Sequence, residues 1–462
     1  MPRSPSFRAR TGPTALRRDT RTADVGLKRS SRWRVRRVRH WIKSSLWVVP
    51  GAYAAVALGT GVALVAFDHS SPLQSPLDLS AASATAALAA LGGGMITFTG
   101  FVMSVVLLVV QFGSSQFSPR FLRWFRDDPV IKHSLGTFIA TFVFALTATA
   151  LSGRGADSIV PYRALVGAMV LTAASIAWFL ALISRTSDNL RVAHVIQRID
   201  SQARRVFDDV YPVSSTEVEA AQQAAASVDP SSTVQEVRNP DVGGILVAVD
   251  RDELLRIAER HDALIEMCAA VGDHIAAGGL VVRVYGDHKL PVRPLSGALM
   301  FGDERTIEDD PAFTLRLLVD VAIKALSPAV NDPTTAVQCL HRIEDVLRYA
   351  AAKHLSTGVV TDQQGTVRVL VPAPTWDDLV ALALDEIRAF GAGQYQIVRR
   401  LRALLDDLTA DLPAKRRPAL TTQLELLDEA MERAIPLAQR SDALVADRQG
   451  LGLAIRPPSS DQ

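Results

Sequence analysis

Leu79–Pro119 reads LSAASATAALAALGGGMITFTGFVMSVVLLVVQFGSSQFSP, a run with no Asp, Glu, Lys or Arg. Crossing the hydrocarbon core of a bilayer as a helix takes about 20 apolar residues. Backbone polar groups in lipid must be paired within the segment, so a helix is the expected form. Three more uncharged stretches accompany it: Ser44–Phe67, Ser134–Gly153 and Ala164–Ser184. The front of the chain therefore reads as a four-helix transmembrane domain over 44–185, with spans at about 44–67, 83–112, 134–153 and 163–184. An overall hydrophobic fraction of 48% averages this apolar front against a charged back.

Charge sets the expected topology. Residues 1–43 carry fourteen Arg and Lys against Asp19 and Asp24, a basic leader expected to be disordered and cytosolic. Within it, Arg32–Arg39 (RWRVRRVR) reads either as a topology determinant or as a partner for anionic headgroups. Four spans return the C-terminus to the same side. The first loop holds Asp68 and Asp78 and no Lys or Arg, as a loop on the far side should. The second holds Arg120, Arg123, Arg126 and Lys132, and Arg185, Arg191 and Arg198 follow span four. Arg154 and Arg163 in the third loop run against the pattern. The expectation is a multi-pass protein of the inner (plasma) membrane with both termini cytoplasmic. Its first span starts too late and runs too long for a cleaved signal peptide.

The second span carries small and hydroxylated residues: Gly92, Gly93 and Gly94, then Thr97, Thr99, Gly100 and Ser104, with Gln111 beyond. Two readings stand. Thr97, Thr99, Gly100, Ser104 and Gln111 line a pore in a homo-oligomer, with the glycines as a hinge; or small residues let helices pack closely. No span has an ionisable residue near its middle, which speaks against proton-coupled transport and intramembrane hydrolysis. A passive channel needs only hydroxyls, carbonyls and apolar gates.

The remainder reads as a cytosolic α+β region, making the chain mostly α. Residues 186–240 form a stalk helix and linker: Val192, Val195, Ile199, Ala203 and Val206 recur at helical spacing, on a helix that either transmits motion or packs on its own domain. Residues 241–302 form a small β-rich subdomain, with strands at Gly244–Val249, Ala263–Cys268 and Gly279–Tyr285 and an Asp250/Glu253 capping box between the first two. Residues 303–445 form a helical domain with helices at Pro311–Leu326, Trp376–Phe390, Gln394–Leu408 and Pro418–Ile435. A further helix opens with Asp332 as N-cap and Pro333 at the first position. Residues 446–462 read as a disordered tail. Arg305, Asp320, Lys324, Asn331 and Asp332 form either an anion site at a helix N-terminus or a capped corner with exposed ion pairs. The run Arg399, Arg400 and Arg402 is either a solvated face or opposed by acidic neighbours.

Chemistry is sparse. Cys268 and Cys339 belong to no CxxC pattern, and His261, His274 and His288 lack metal-ligand spacing. No triad, Walker loop, GxGxxG or paired-carboxylate signature occurs, so no enzymatic activity, metal or cofactor is expected. Nucleic acid is not an expected partner.

Two resemblances follow. VGDHIAAGGLVVRVYG, Val271–Gly286, resembles the turn–strand pattern of biotinyl- and lipoyl-type barrel-sandwich hybrids; no lysine stands in the turn, so no swinging-arm cofactor is implied. Far more extensively, GGGMITFTGFVMSVVLLVVQFGSSQFSPRFLRWFRDD, HSLGTFIATFVFAL and VDVAIKALSPAVNDPTTAVQCLHRIEDVL resemble the bacterial predicted-membrane-protein family called domain of unknown function 2254. The resemblance covers roughly residues 35–440, and Ala325–Ala336 and Ser114–Arg120 are its most specific parts. Gly93 and Gly94 depart from it, since Ala or Ser is more usual there. It implies the membrane architecture and carries no catalytic residue. The functional expectation is an oligomeric channel gated by its cytosolic domain, with a membrane-anchored sensor or scaffold, binding a ligand or protein without transport, as the alternative.

Overall fold

A computed structural model describes residues 45, 47–71, 80–116, 128–152, 160–189, 192–211, 233–239, 242–355 and 358–453. The expected basic leader, the sequence between 212 and 232, and residues 454–462 of the expected tail lie outside these. Four helices are long and apolar enough to cross a membrane: α1 (Val48–Ser70), α2 (Ala81–Gln116), α3 (Pro129–Ser152) and α4 (Tyr162–Asn189). The chain is mostly helical, with small sheets between this bundle and a set of C-terminal helices.

Helix α3 is the hub on which the other three pack; 56% of its most apolar window is buried, against 17–22% for the others. Close approach is set by glycine. A Cβ on Gly136 would come within 3.0 Å of the Tyr53 ring of α1, and one on Gly167 of α4 within 3.0 Å of Phe144. Hydroxyls inside the bundle are paired without water. Thr141 meets Ser175 of α4 at 2.9 Å, and Thr137, Thr147 and Thr149 donate to carbonyls one turn back on their own helix.

Helix α3 begins five residues ahead of the uncharged stretch that announced it. Asp128 caps it, accepting from the Val130 N–H at 2.9 Å, and Pro129 takes the first position. Asp128 is fully buried and also accepts from Arg185 Nε of α4 at 3.0 Å. Asp68 does the matching work at the other end. Buried at the end of α1, it accepts from the backbone N–H of Arg163 (3.1 Å) and Ala164 (3.3 Å) at the start of α4. The Arg163 guanidinium binds Asp68 and donates to the Phe67 and Ser71 carbonyls at the end of α1. Each helix end thus caps the other. Arg163 and Arg185 are twenty-two residues apart on α4, about 33 Å at 1.5 Å per residue, against a hydrocarbon core of about 30 Å. Arg163 opposes the loop-charge pattern because its charge is matched by Asp68.

After α4 come α5 (Val192–Val210), β1 (Thr233–Arg238), β2 (Gly244–Val249), α6 (Arg251–Arg260), β3 (Leu264–Met267), β4 (His274–Ile275) and β5 (Leu280–Tyr285). Then follow α7 (Val292–Gly297), β6 (Leu299–Gly302), α8 (Pro311–Leu326), α9 (Pro333–Ala351), β7 (Gly358–Thr361) and β8 (Val367–Val371). The chain closes with α10 (Trp376–Gly391), α11 (Tyr395–Asp411), α12 (Arg417–Ala434) and the single turn α13 (Arg440–Ala443).

The β structure exceeds the expected 241–302. A five-stranded sheet has the order β1-β5-β3-β8-β7, and a three-stranded one β4-β2-β6. Strand β1 comes from residues read as linker, and the β7–β8 hairpin from the region read as wholly helical. The hairpin turn has its own chemistry: Asp362 accepts from the Gln364 and Thr366 N–H groups at 3.0 and 2.8 Å, and Gly365 takes φ +82°. Strand β8 then runs parallel to β3, with Ile265 opposite Val369, a long-range pairing.

Helix α5 does not stand free. Val195, Ile196, Ile199, Ala203, Val206, Phe207 and Val210 are buried in one core with α8, α9, α10 and α11. Its last turn meets the β structure: Tyr211 donates to the Pro374 carbonyl at 2.7 Å and Arg251 to the Val210 carbonyl at 3.3 Å. The sheets therefore lie at the end of the helical core opposite the one where α5 enters. The first part of the expected tail is also held. Asp447 is buried and accepts from the N–H groups of Gln449, Gly450 and Gly452, while its own N–H reaches the Arg399 carbonyl.

Asp128→Ala removes the α3 cap and strands Arg185, at an expected cost of about 3 kcal/mol. Arg185→Ala, at a side chain 41% exposed, should cost less. Thermal unfolding of both variants in detergent checks the order.

Candidate functional site

Gly93, Thr97, Gly100, Ser104 and Gln111 follow one another at spacings of four, three, four and seven, which puts them in one stripe along α2. All five are exposed in the single subunit. The hydroxyls are satisfied on their own helix, Thr97 donating to the Gly93 carbonyl at 3.1 Å and Ser104 to the Gly100 carbonyl at 3.0 Å. A Cβ placed on Gly93, Gly94 or Gly100 would meet no described atom within 4 Å. The opposite face packs inward through Met95 and Val102, with Phe98 edge-on to Phe138 (5.3 Å) and Phe179 (5.0 Å). Thr99, expected to line a pore with the others, belongs to that inward side. It is two positions, about 200°, around the helix from Thr97, half-buried, and donates to the Met95 carbonyl at 2.6 Å. The glycine triplet lies within a continuous helix.

The second expected site does not assemble. Helix α8 is 16 residues, about 24 Å, and the five polar residues spread along and beyond it. Arg305 sits before its start, donating from Nε to Asp310 at 2.8 Å; Asp310 is buried and caps the helix through the Phe313 N–H. Burial pushes the Asp310 carboxyl above its ordinary range, opposed by the Arg305 charge. Gly272, at φ +99°, lies so close that a Cβ would run into both side chains. Asp320 lies on the second half of α8 and pairs with Arg316 at 2.6 Å, whose guanidinium also forks onto Glu386 of α10. Lys324 is in the last turn, where its carbonyl takes the Ser327 hydroxyl. Asn331, in the left-handed region at φ +49°, and Asp332 form the corner to α9; Asp332 accepts from the Thr335 N–H (3.1 Å) and hydroxyl (2.6 Å). These residues fix three separate joints.

The arginine run meets acidic and carbonyl partners: Arg400 with Glu344, Arg402 with Asp428, and Arg399 with the Asp442 and Gly452 carbonyls. Among the described residues, no three His, Cys, Asp or Glu side chains form a group able to hold a metal.

The sequence points to a stalk helix after span four, but not to the side chains that pin the joint between the membrane bundle and the C-terminal domain. Residues 190–191 alone separate α4 from α5, a reach of no more than about 11 Å. Arg185 ties the end of α4 to Asp128 of α3. At the far end of α5, Asp208 accepts from the Tyr349 hydroxyl at 2.6 Å and pairs with Lys353, both near the end of α9, and Arg204 lies over the Tyr349 ring. The Asp128-Pro129 dipeptide was a readable helix start; its arginine partner was not readable.

Residues 43–407 match the family described as "Predicted membrane protein (DUF2254)". The chain belongs to that family. Among its relatives are an uncharacterized protein of Mycobacterium bovis and one of Mycobacterium tuberculosis, each 29% identical over 431 residues, or 90% of this chain and 80% of the relative. No solved structure matches the chain. The family match takes in all four spans, the α4–α5 joint and the Ala325–Ala336 corner, which the structure assigns to the end of α8, its turn and the capped start of α9.

Asp332→Ala should lower stability by about 1 kcal/mol, and Asp332→Asn by clearly less because the amide oxygen still caps. Thermal melts of the pair decide this. Hydrogen bonds from Lys353 and Tyr349 hold the Asp208 carboxyl below its ordinary value of 3.8. The unfolded chain then binds more protons there than the folded one, so this contribution is complete above about pH 5 and fades as pH falls through the lowered value. Melting temperatures of wild type and Asp208→Asn, followed from neutral to acid pH, should converge only at the acid end.

Proposed function

We propose that the protein is a homo-oligomer of the plasma membrane, both termini cytoplasmic, whose subunits meet along the outward stripe of α2 around a passage controlled by the C-terminal domain. The observation that carries this reading is that stripe: Gly93, Thr97, Gly100, Ser104 and Gln111, exposed in one subunit. A glycine inside a helix costs roughly 1 kcal/mol relative to alanine. Among the described residues, no close neighbour within the subunit offsets this at Gly93 or Gly100. A neighbouring helix or a narrow aqueous passage accounts for them, whereas contact with acyl chains does not. Uncharged hydroxyls beside an apolar wall suit passive flux rather than coupled transport.

A route for control is built into the chain. Helix α5 is buried in the core of the C-terminal domain, α4 enters it after two residues, and Arg185 couples α4 to α3, on which α2 packs. Displacement of the domain would therefore bear on the α2 packing through two rigid helices. A second reading, a membrane-anchored sensor or scaffold without flux, is favoured by the self-satisfied Thr97 and Ser104 hydroxyls, which equally suit tight helix contact between subunits with no passage. Neither reading includes a catalytic step.

Purified protein in planar bilayers should give discrete conductance steps. Gly100→Trp should abolish them, while Gly59→Trp, equally open but on α1, should leave them. Silence from oligomers shown to be intact would favour the scaffold.

A further inference from the structure

Among the described residues of the C-terminal domain, eight large apolar side chains are exposed, and six of them gather at one end of the helical core. They are Val330, Phe390, Leu437, Leu444, Leu451 and Leu453, between 42% and 79% exposed. Contacts between the corners that carry them fix their company. The α8–α9 turn, with Val330, meets the α10–α11 turn, with Phe390, because Leu326 packs at Gly391. Gly393 of the same turn faces Ala434 at the end of α12, and Tyr395 donates to Gln439 at 2.6 Å, beside Leu437. The final turn, with Leu451, closes over Val337 through Gly450, whose carbonyl accepts from Gln396 at 2.6 Å.

Helix direction says which end this is. The last turns of α5 and α9 are joined through Asp208, Tyr349 and Lys353, and α5 is buried along its length against α8 and α9. The first turns of α5 and α9 therefore share the other end, the end that the six side chains occupy. Helix α5 starts there within about 11 Å of the end of span α4. This apolar end is thus continuous with the membrane domain. The remaining two exposed side chains, Val242 and Val292, are on the β-rich part, beyond the opposite end.

We infer that this end of the helical core is a second, peripheral membrane contact: its corners rest in the headgroup and acyl boundary of the leaflet from which α4 emerges. An exposed patch of separate apolar side chains on a polar scaffold is suited to shallow insertion. The six side chains are apolar, so the inferred contact rests on burying them.

The test uses the full chain in lipid nanodiscs, in a Cys268→Ser background; Cys339 is buried and does not react. Leu437→Cys, Leu451→Cys and, as control, Val242→Cys each carry an environment-sensitive fluorophore. All three sites are exposed, so folding is not at risk, and a thermal melt verifies it. Labels at 437 and 451 should be quenched several-fold more strongly by acyl-chain-borne doxyl groups than the label at 242, and less by aqueous iodide. Equal iodide access at all three sites overturns the inference. Protection from iodide without doxyl quenching also overturns it, since protein rather than lipid then covers the surface.

Discussion

Two buried carboxylates, Asp68 and Asp128, each shared between a helix end and an arginine of α4, are what the membrane domain rests on. In hydrocarbon an open helix terminus or a lone charge has no water to turn to. Each pair solves both problems at once, since the carboxylate caps one helix and neutralises an arginine on its neighbour. The two arginines stand about 33 Å apart along α4, close to the roughly 30 Å of a hydrocarbon layer. Between them the bundle needs only hydroxyls that bond within or between helices.

That arrangement distributes rigidity unevenly. Helix α4 is pinned at both ends and α3 is surrounded, but among the described contacts α2 is held along one inward face, from Ala84 and Leu88 through Met95, Phe98 and Val102. Its outward face is free to meet another subunit. The continuation of α4, helix α5, is embedded in the C-terminal core rather than standing as an isolated stalk. The Arg305–Asp310–Gly272 contact and the Tyr211–Pro374 hydrogen bond then join that core to the sheets at its distal end.

Much of this was legible in the sequence where the physics is local. Uncharged runs had to become spans, Asp250 and Asp332 had to cap, and the strands at Gly244 and Leu280 followed from β-branched runs between turns. What escaped depends on distant partners. Strand β8 pairs in parallel with β3 across a hundred residues, Asp68 and Asp128 find arginines on another helix, and the Asp447 turn is ordered by the α11 surface. Two of the alternatives left open could be narrowed from the sequence. Helical phase alone separates Thr99 from Thr97, and the length of α8 alone forbids Arg305 and Asp332 from sharing one ligand.

In the proposed assembly the glycine and hydroxyl stripe of α2 faces another copy of the chain. A cryo-EM reconstruction of the full chain in lipid nanodiscs tests it most directly. A rotationally symmetric assembly is expected, with α2 of every subunit turned toward the axis and Gly100 at the closest approach. A monomer, or an oligomer in which that stripe faces lipid, would contradict it.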